Sequence, residues 1–235
     1  MPAVVFGKEH WIYLSIFLLF AVIVLVLGKK FAKTERSQAV FLKSLALALL
    51  ASILLNRLSQ VFRYGLVRWE QIIPDSFCGM SSLVLSLAVL FGKKNNPVLH
   101  FVWFLALVGG VITMAYPSFL DQGPTIFYLP TISGLLHHSF AIIMVAALLL
   151  FDQIQITYRK WYYSLFGFTC YLTIGAFLMS VFSIPDAFHI VEPMLDGTPL
   201  TVWVVGPIYA VGYGAVLAAI ELARNKKLHK KWESP

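Results

Sequence analysis

A thiol and a pair of imidazoles are the groups in this chain best equipped for chemistry. Cys78 stands in "IIPDSFCGMSS" at the head of a long apolar run, and His137 and His138 stand in "ISGLLHHSFAII" at the head of another. A thiolate is a strong nucleophile, and an imidazole in bonding reach can generate it. Such a pair suits acyl transfer: the imidazole takes the thiol proton, sulfur attacks an ester carbonyl, and a thioester forms. Asn56, Arg57 or the N–H groups of a helix end would stabilise the oxyanion. Neighbouring residues on a helix point about 100° apart, so only one of the two histidines faces a given partner well. Thr131, Gly134, His138 and Ala141 share a stripe at spacings of three and four. Small residues mark faces where membrane helices approach closely. The stripe makes His138 the inward member, with His137 as second choice.

These groups must be held by the apolar runs that carry them. The 235 residues are 59% hydrophobic and 12% charged, about half the charge of an ordinary soluble domain. A span needs about 20 apolar residues to cross a hydrocarbon core of ~30 Å. Seven runs qualify, at roughly 11–28, 39–62, 74–92, 97–116, 130–151, 161–183 and 200–222. None alternates with the period of a barrel strand, so the expected fold is all-α, one polytopic domain of seven transmembrane helices over 1–235. The first run is longer than the apolar part of a signal peptide and no small-residue cleavage pattern follows, which argues for a retained span. Gly109-Gly110 and Gly206-Pro207 are the places where a helix would break.

Lysine and arginine placement orients the spans. Fourteen of the 18 basic residues fall in four segments: 29–43, 93–94, 159–160 and 224–231. Basic residues concentrate on the cytoplasmic side, which places the C-terminus inside and the N-terminus outside. A multi-pass protein of the plasma membrane is the implied setting. Cys78 then lies four residues past Pro74, about 6 Å inward, and His138 eight past Pro130, about 12 Å inward. Asn56, Arg57 and Gln60 reach the same outer half from below, His10 opens the first span there, and His189, Glu192 and Asp196 sit in the loop above. Polar side chains in a span normally face a protein-lined cavity, so these residues predict an outward-opening pocket.

Plainer readings exist for each. An isolated cysteine in a span is commonly a small packing residue, the reading adopted for Cys170, and Arg57 can snorkel to headgroups. His100 and His229 fall at the inner face and read as interfacial. Neither cysteine lies in a loop, so no disulfide is expected. The chain contains no GxxxxGK[ST], no GxGxxG after a strand, no CxxC and no HExxH, and no metal or other cofactor is expected. Its charge of +7 is dispersed between spans and does not suggest nucleic acid.

Several stretches resemble the YwaF-like bacterial integral membrane proteins. "FGKEHWIYL" is similar to their start, with a histidine leading the first span, and "IIPDSFCGMSS" to their Pro-x-x-x-Cys element. "NPVLHFVWFLALVGGVITMAYPSF", "ISGLLHHSFAII" and "TPLTVWVVGPIYAVGY" resemble their fourth, fifth and last spans. Animal relatives in this broader group move fatty acyl chains between phospholipids with an intramembrane cysteine and histidine. The resemblance therefore implies Cys78 as nucleophile, His138 or His137 as base and His10 in the cavity. Ser76 stands two residues before Cys78, where the bacterial element often carries a histidine.

Two functions remain open at this point. One is a membrane acyltransferase whose substrates are outer-leaflet lipids or a lipidated protein. The other is a non-enzymatic heptahelical binder or small permease with an outward-facing polar pocket. A retinal protein is disfavoured because the seventh span has no lysine, and a metal hydrolase built on His10, His138 and His189 has no recognisable ligand spacing.

Overall fold

The computed structural model describes residues 6–117, 120, 121, 123–194 and 197–233. They form seven α-helices: α1 Lys8–Phe31, α2 Glu35–Val61, α3 Phe77–Phe91, α4 Pro97–Ala115, α5 Leu129–Leu150, α6 Trp161–Phe182 and α7 Val202–Glu233. No strand occurs among the described residues. Six of the helices are long and apolar enough to cross a membrane; α3 is the exception. Its 15 residues span about 22 Å, short of a ~30 Å core.

Capping explains why α3 is short. The expected third span opened at Pro74, but the chain there is still non-helical. Ser76 takes extended backbone angles and its Oγ accepts the Gly79 N–H at 3.2 Å, so the helix begins at Phe77. Asn96 caps α4 in the same way, with Pro97 in its first turn. Neither site breaks a helix: α4 runs through Gly109-Gly110 and α7 through Gly206-Pro207.

Helices α2, α3, α4 and α5 make a four-sided core. α2 packs on α3 and α5, α4 packs on the same two, and α3 touches α5 across the middle. In its most apolar stretch α5 is 67% buried and α1 only 11%, so α5 is the hub and α1 a peripheral helix presenting side chains to lipid. α6 packs on α4, and α7 on α6.

The segment after α6 folds back over the head of α3. Phe188 is fully buried with φ +60°, and His189 follows at +51°. Left-handed angles at non-glycine residues cost about 1–3 kcal/mol each and persist only where surroundings enforce them. Here the Phe188 N–H donates to the Asp75 carbonyl at 2.7 Å, and its ring packs on Phe77 and Tyr171. Gly175 makes room for it: a Cβ there would lie 2.7 Å from Ile190 and 2.8 Å from the Phe188 ring.

Candidate active site

Cys78 is the second residue of α3. It therefore sits in the first turn, rather than four residues along a helix begun at Pro74. The thiol points at α4, where it lies against Gly109 and faces the Thr113 side chain. A Cβ on Gly109 would lie 2.5 Å from Sγ, so the absence of a side chain there is what lets sulfur reach the α4 backbone. Gly109 and Thr113 are four residues apart and form one continuous seat for the thiol. A small residue and a hydroxyl at that spacing were visible in the sequence, but only the packing of α3 on α4 shows what they receive.

Both histidines are buried at 3% exposure, with ring centroids 4.1 Å apart. His138 marks the α4–α5 contact: its carbonyl oxygen would lie 3.2 Å from a Cβ on Gly110. The paired glycines of α4 thus receive Cys78 on one side and the His138 backbone on the other. His137 lies within electrostatic reach of Arg57 on α2. The Ser133 carbonyl, one turn earlier, faces the ring, yet neither ring nitrogen makes a hydrogen bond of good geometry. The Arg57 Nε is unpaired as well. A buried polar atom without a partner costs about 1–3 kcal/mol, so these orphans call for a reason. His137, the second choice on spacing alone, is the member of the pair with unused bonding capacity.

A chain of polar bonds runs beside it. Arg57 donates from Nη1 to the Asp75 carboxylate at 3.2 Å and from Nη2 to the Asn56 Oδ1 at 3.1 Å. Asn56 Nδ2 in turn donates to the Pro130 carbonyl and the Ser133 hydroxyl. The network ties α2 to α5 and, through Asp75, to the segment leading into Cys78. Gln60 is half-buried and joins none of these bonds. Arg57 does not reach for headgroups: its side chain is only 12% exposed and is held by Asp75.

The remaining candidates are placed apart from this chain. His10 is 2% exposed; its Nδ1 accepts the Phe6 N–H at 3.0 Å, so Nε2 carries the proton and donates to the Met114 carbonyl at 2.9 Å. That pins α1 to the end of α4, one residue beyond Thr113. His189 pairs with Asp186 at 3.8 Å, Glu192 is exposed, and Asp196 lies outside the described residues. Among the described residues no group of three or more His, Cys, Asp and Glu side chains gathers at metal-binding distance. Both cysteines are free thiols.

Residues 5–223 match the TMEM164 family, nearly the full length of the helical bundle just described. The chain belongs to the TMEM164 family. No curated protein and no solved structure matches it. Membership makes it a membrane protein and carries no activity with it. In this member of the family, no hydrogen bond joins the Cys78 thiol to either imidazole; its neighbours are Gly109 and Thr113. The structure holds a thiol at the N-terminus of α3, a buried imidazole pair on α5, and an Arg57–Asp75 pair that ties α2 to the segment before α3. The Phe77 and Cys78 N–H groups have no intrahelical acceptor and face the same end.

Proposed function

We propose that this protein is a membrane-embedded acyltransferase that moves fatty acyl chains between lipids, or between lipid and a lipidated protein, through a thioester on Cys78. The observation that carries the reading is the orphaned, buried His137 ring lying beside a polar network, Asn56–Arg57–Asp75, that ends three residues before Cys78. Unused donor and acceptor capacity at that depth is suited to a substrate's ester and hydroxyl groups. The positive-inside pattern supports an outer-half position for this end of the seven-helix domain in the plasma membrane, within reach of lipid ester groups. The likeness to YwaF-like proteins and their animal relatives points the same way.

The steps balance. In acylation the thiol leaves Thr113 and gives its proton to an imidazole nitrogen, with His138 or His137 as base. Sulfur then attacks the donor ester carbonyl. The oxyanion is held by the α3 first-turn N–H groups and by the Arg57–Asn56 side of the network. The C–O bond breaks, and the departing alkoxide takes the proton from the imidazolium. In the second half an acceptor hydroxyl loses its proton to the imidazole and attacks the thioester, and the sulfur regains the proton.

The test is a thiol-directed acyl-like probe applied to membranes holding the intact protein. Cys78 should be labelled, and labelling should fall at least tenfold in His138→Ala or His137→Ala. If Cys78 stays unlabelled while denatured protein labels normally, the enzymatic reading is wrong and the heptahelical binder or permease takes its place.

A further inference from the structure

The second buried histidine cluster lies at the other end of α4 and plays no part in the acyl chemistry. His100 is 2% exposed in the first turns of α4, with its ring stacked on Tyr163 of α6 at 5.7 Å. Its Nε2 lies 2.7 Å from Asn95 Oδ1 and 2.9 Å from the Lys160 ammonium. The same Oδ1 accepts from Lys160 at 3.1 Å and from the Gln155 backbone N–H at 3.0 Å. When Nε2 carries the proton, three donors thus converge on one carbonyl oxygen that has two lone pairs.

With Lys160 charged, the arrangement cannot be satisfied from within. If Nε2 carries the proton, it bonds to Asn95 but abuts the ammonium. If Nε2 is bare, it accepts from Lys160 but its lone pair meets Oδ1. Exchanging the amide oxygen and nitrogen of Asn95 gives no relief, because the Gln155 N–H needs an oxygen there. Lys160 forms no ion pair within the chain among the described residues; the adjoining segments 91–97 and 151–161 hold one acid, Asp152, and α7, which also packs on Tyr158–Lys160, carries Glu221 outside ion-pair distance. Exposed Lys93, Lys94 and Arg159 add positive potential around the cluster. With Nε2 protonated the cluster is one acceptor short, and its ammonium has no carboxylate at ion-pair distance among the described residues.

We propose that Lys160 and His100 bind a phosphate oxyanion, one of whose oxygens bridges Nζ and the Nε2–H. That oxygen supplies the missing acceptor and neutralises the ammonium, and Asn95 then serves only the bonds its oxygen can hold. The same chemistry is offered by a phospholipid headgroup in the adjacent leaflet and by free phosphate.

The full-length protein in phosphate-free maltoside micelles tests this, with thermal unfolding and Trp161 emission as readouts. Inorganic phosphate is titrated in one arm and phosphatidic acid is doped into the micelles in the other. A saturable upward shift of the unfolding midpoint with phosphate marks a free-anion site; a shift with the lipid alone marks a headgroup site. Replacing buried His100 risks the fold, so Lys160→Gln carries the test. It should raise the dissociation constant about tenfold or more, as expected for loss of one charge-assisted bond. Lys93→Gln, removing an exposed charge outside the cluster, should leave it within about twofold. No shift in either arm, or equal weakening by Lys93→Gln and Lys160→Gln, overturns the proposal.

Discussion

The two ends of α4 each bury a histidine beside a cation, and they handle the charge differently. At the Thr113 end, Arg57 lies near His137 but is neutralised by Asp75, and the unused capacity is that of a neutral ring and one guanidinium N–H. At the Asn95 end, Lys160 touches His100 directly with no carboxylate in bonding range, and the surplus is positive charge. A charge removed from water is tolerated only when a partner or a hydrogen-bond shell replaces the solvent. The first end therefore suits an uncharged or transiently charged guest such as an ester carbonyl. The second suits a standing anion.

Five substitutions would break or sharpen that contrast. The largest effect is expected from Cys78→Ala, which should reduce acyl transfer by about 10³-fold or more, since a covalent mechanism has no substitute for its nucleophile. Turnover of a labelled acyl lipid in reconstituted membranes reads this out; full activity in the variant would refute the thioester. Next is Gly109→Ala, whose methyl group would collide with Sγ at 2.5 Å. Displacing a reacting atom by about 1 Å costs on the order of 10²-fold, so turnover and probe labelling should fall together. Gly110→Ala, which meets Ile142 and the His138 carbonyl instead, should act mainly on unfolding temperature.

The smaller effects compare the two cations through stability. Asp75→Asn leaves Arg57 buried beside a neutral amide. Breaking one side of a buried pair costs about 3–5 kcal/mol, and the 30% exposure of Asp75 lowers the expectation to about 2 kcal/mol. Chemical unfolding in micelles measures it, and a change below about 0.5 kcal/mol would mean the pair is solvated after all. Lys160→Gln should do the opposite in phosphate-free micelles, where removing an unpaired charge leaves stability equal or raised by less than about 1 kcal/mol. A clear loss of stability there would show that Lys160 has an anionic partner within the chain and that the two ends are alike.

Much of this was legible from residues alone, and the gaps have physical causes. The seven apolar runs anticipate the seven helices closely: the run at 97–116 becomes Pro97–Ala115, and 130–151 becomes Leu129–Leu150. The third was misjudged because apolarity sets how far a chain can be buried, whereas a helix starts where its first N–H groups find a cap. Ser76 provides that cap two residues after Pro74. Spacing alone could not rank His137 and His138, because small-residue spacing reports where backbones touch. His138 is at that contact, but its neighbour holds the unbonded ring. His100, read as interfacial from its place near the end of a run, is buried because the loop carrying Gln155 and the start of α6 close over it.

Composition and charge placement determined that this is a helical membrane protein and which ends of its helices are basic. Those properties follow from the cost of burying polar groups in lipid, a cost each segment bears alone. Only the tertiary structure decided that Cys78 lies against Gly109 and Thr113, that Asp75 neutralises Arg57, and that Lys160 meets His100 without a counter-charge. Each of those facts depends on the distance between residues far apart in the chain, and such distances are set by how helices pack on one another.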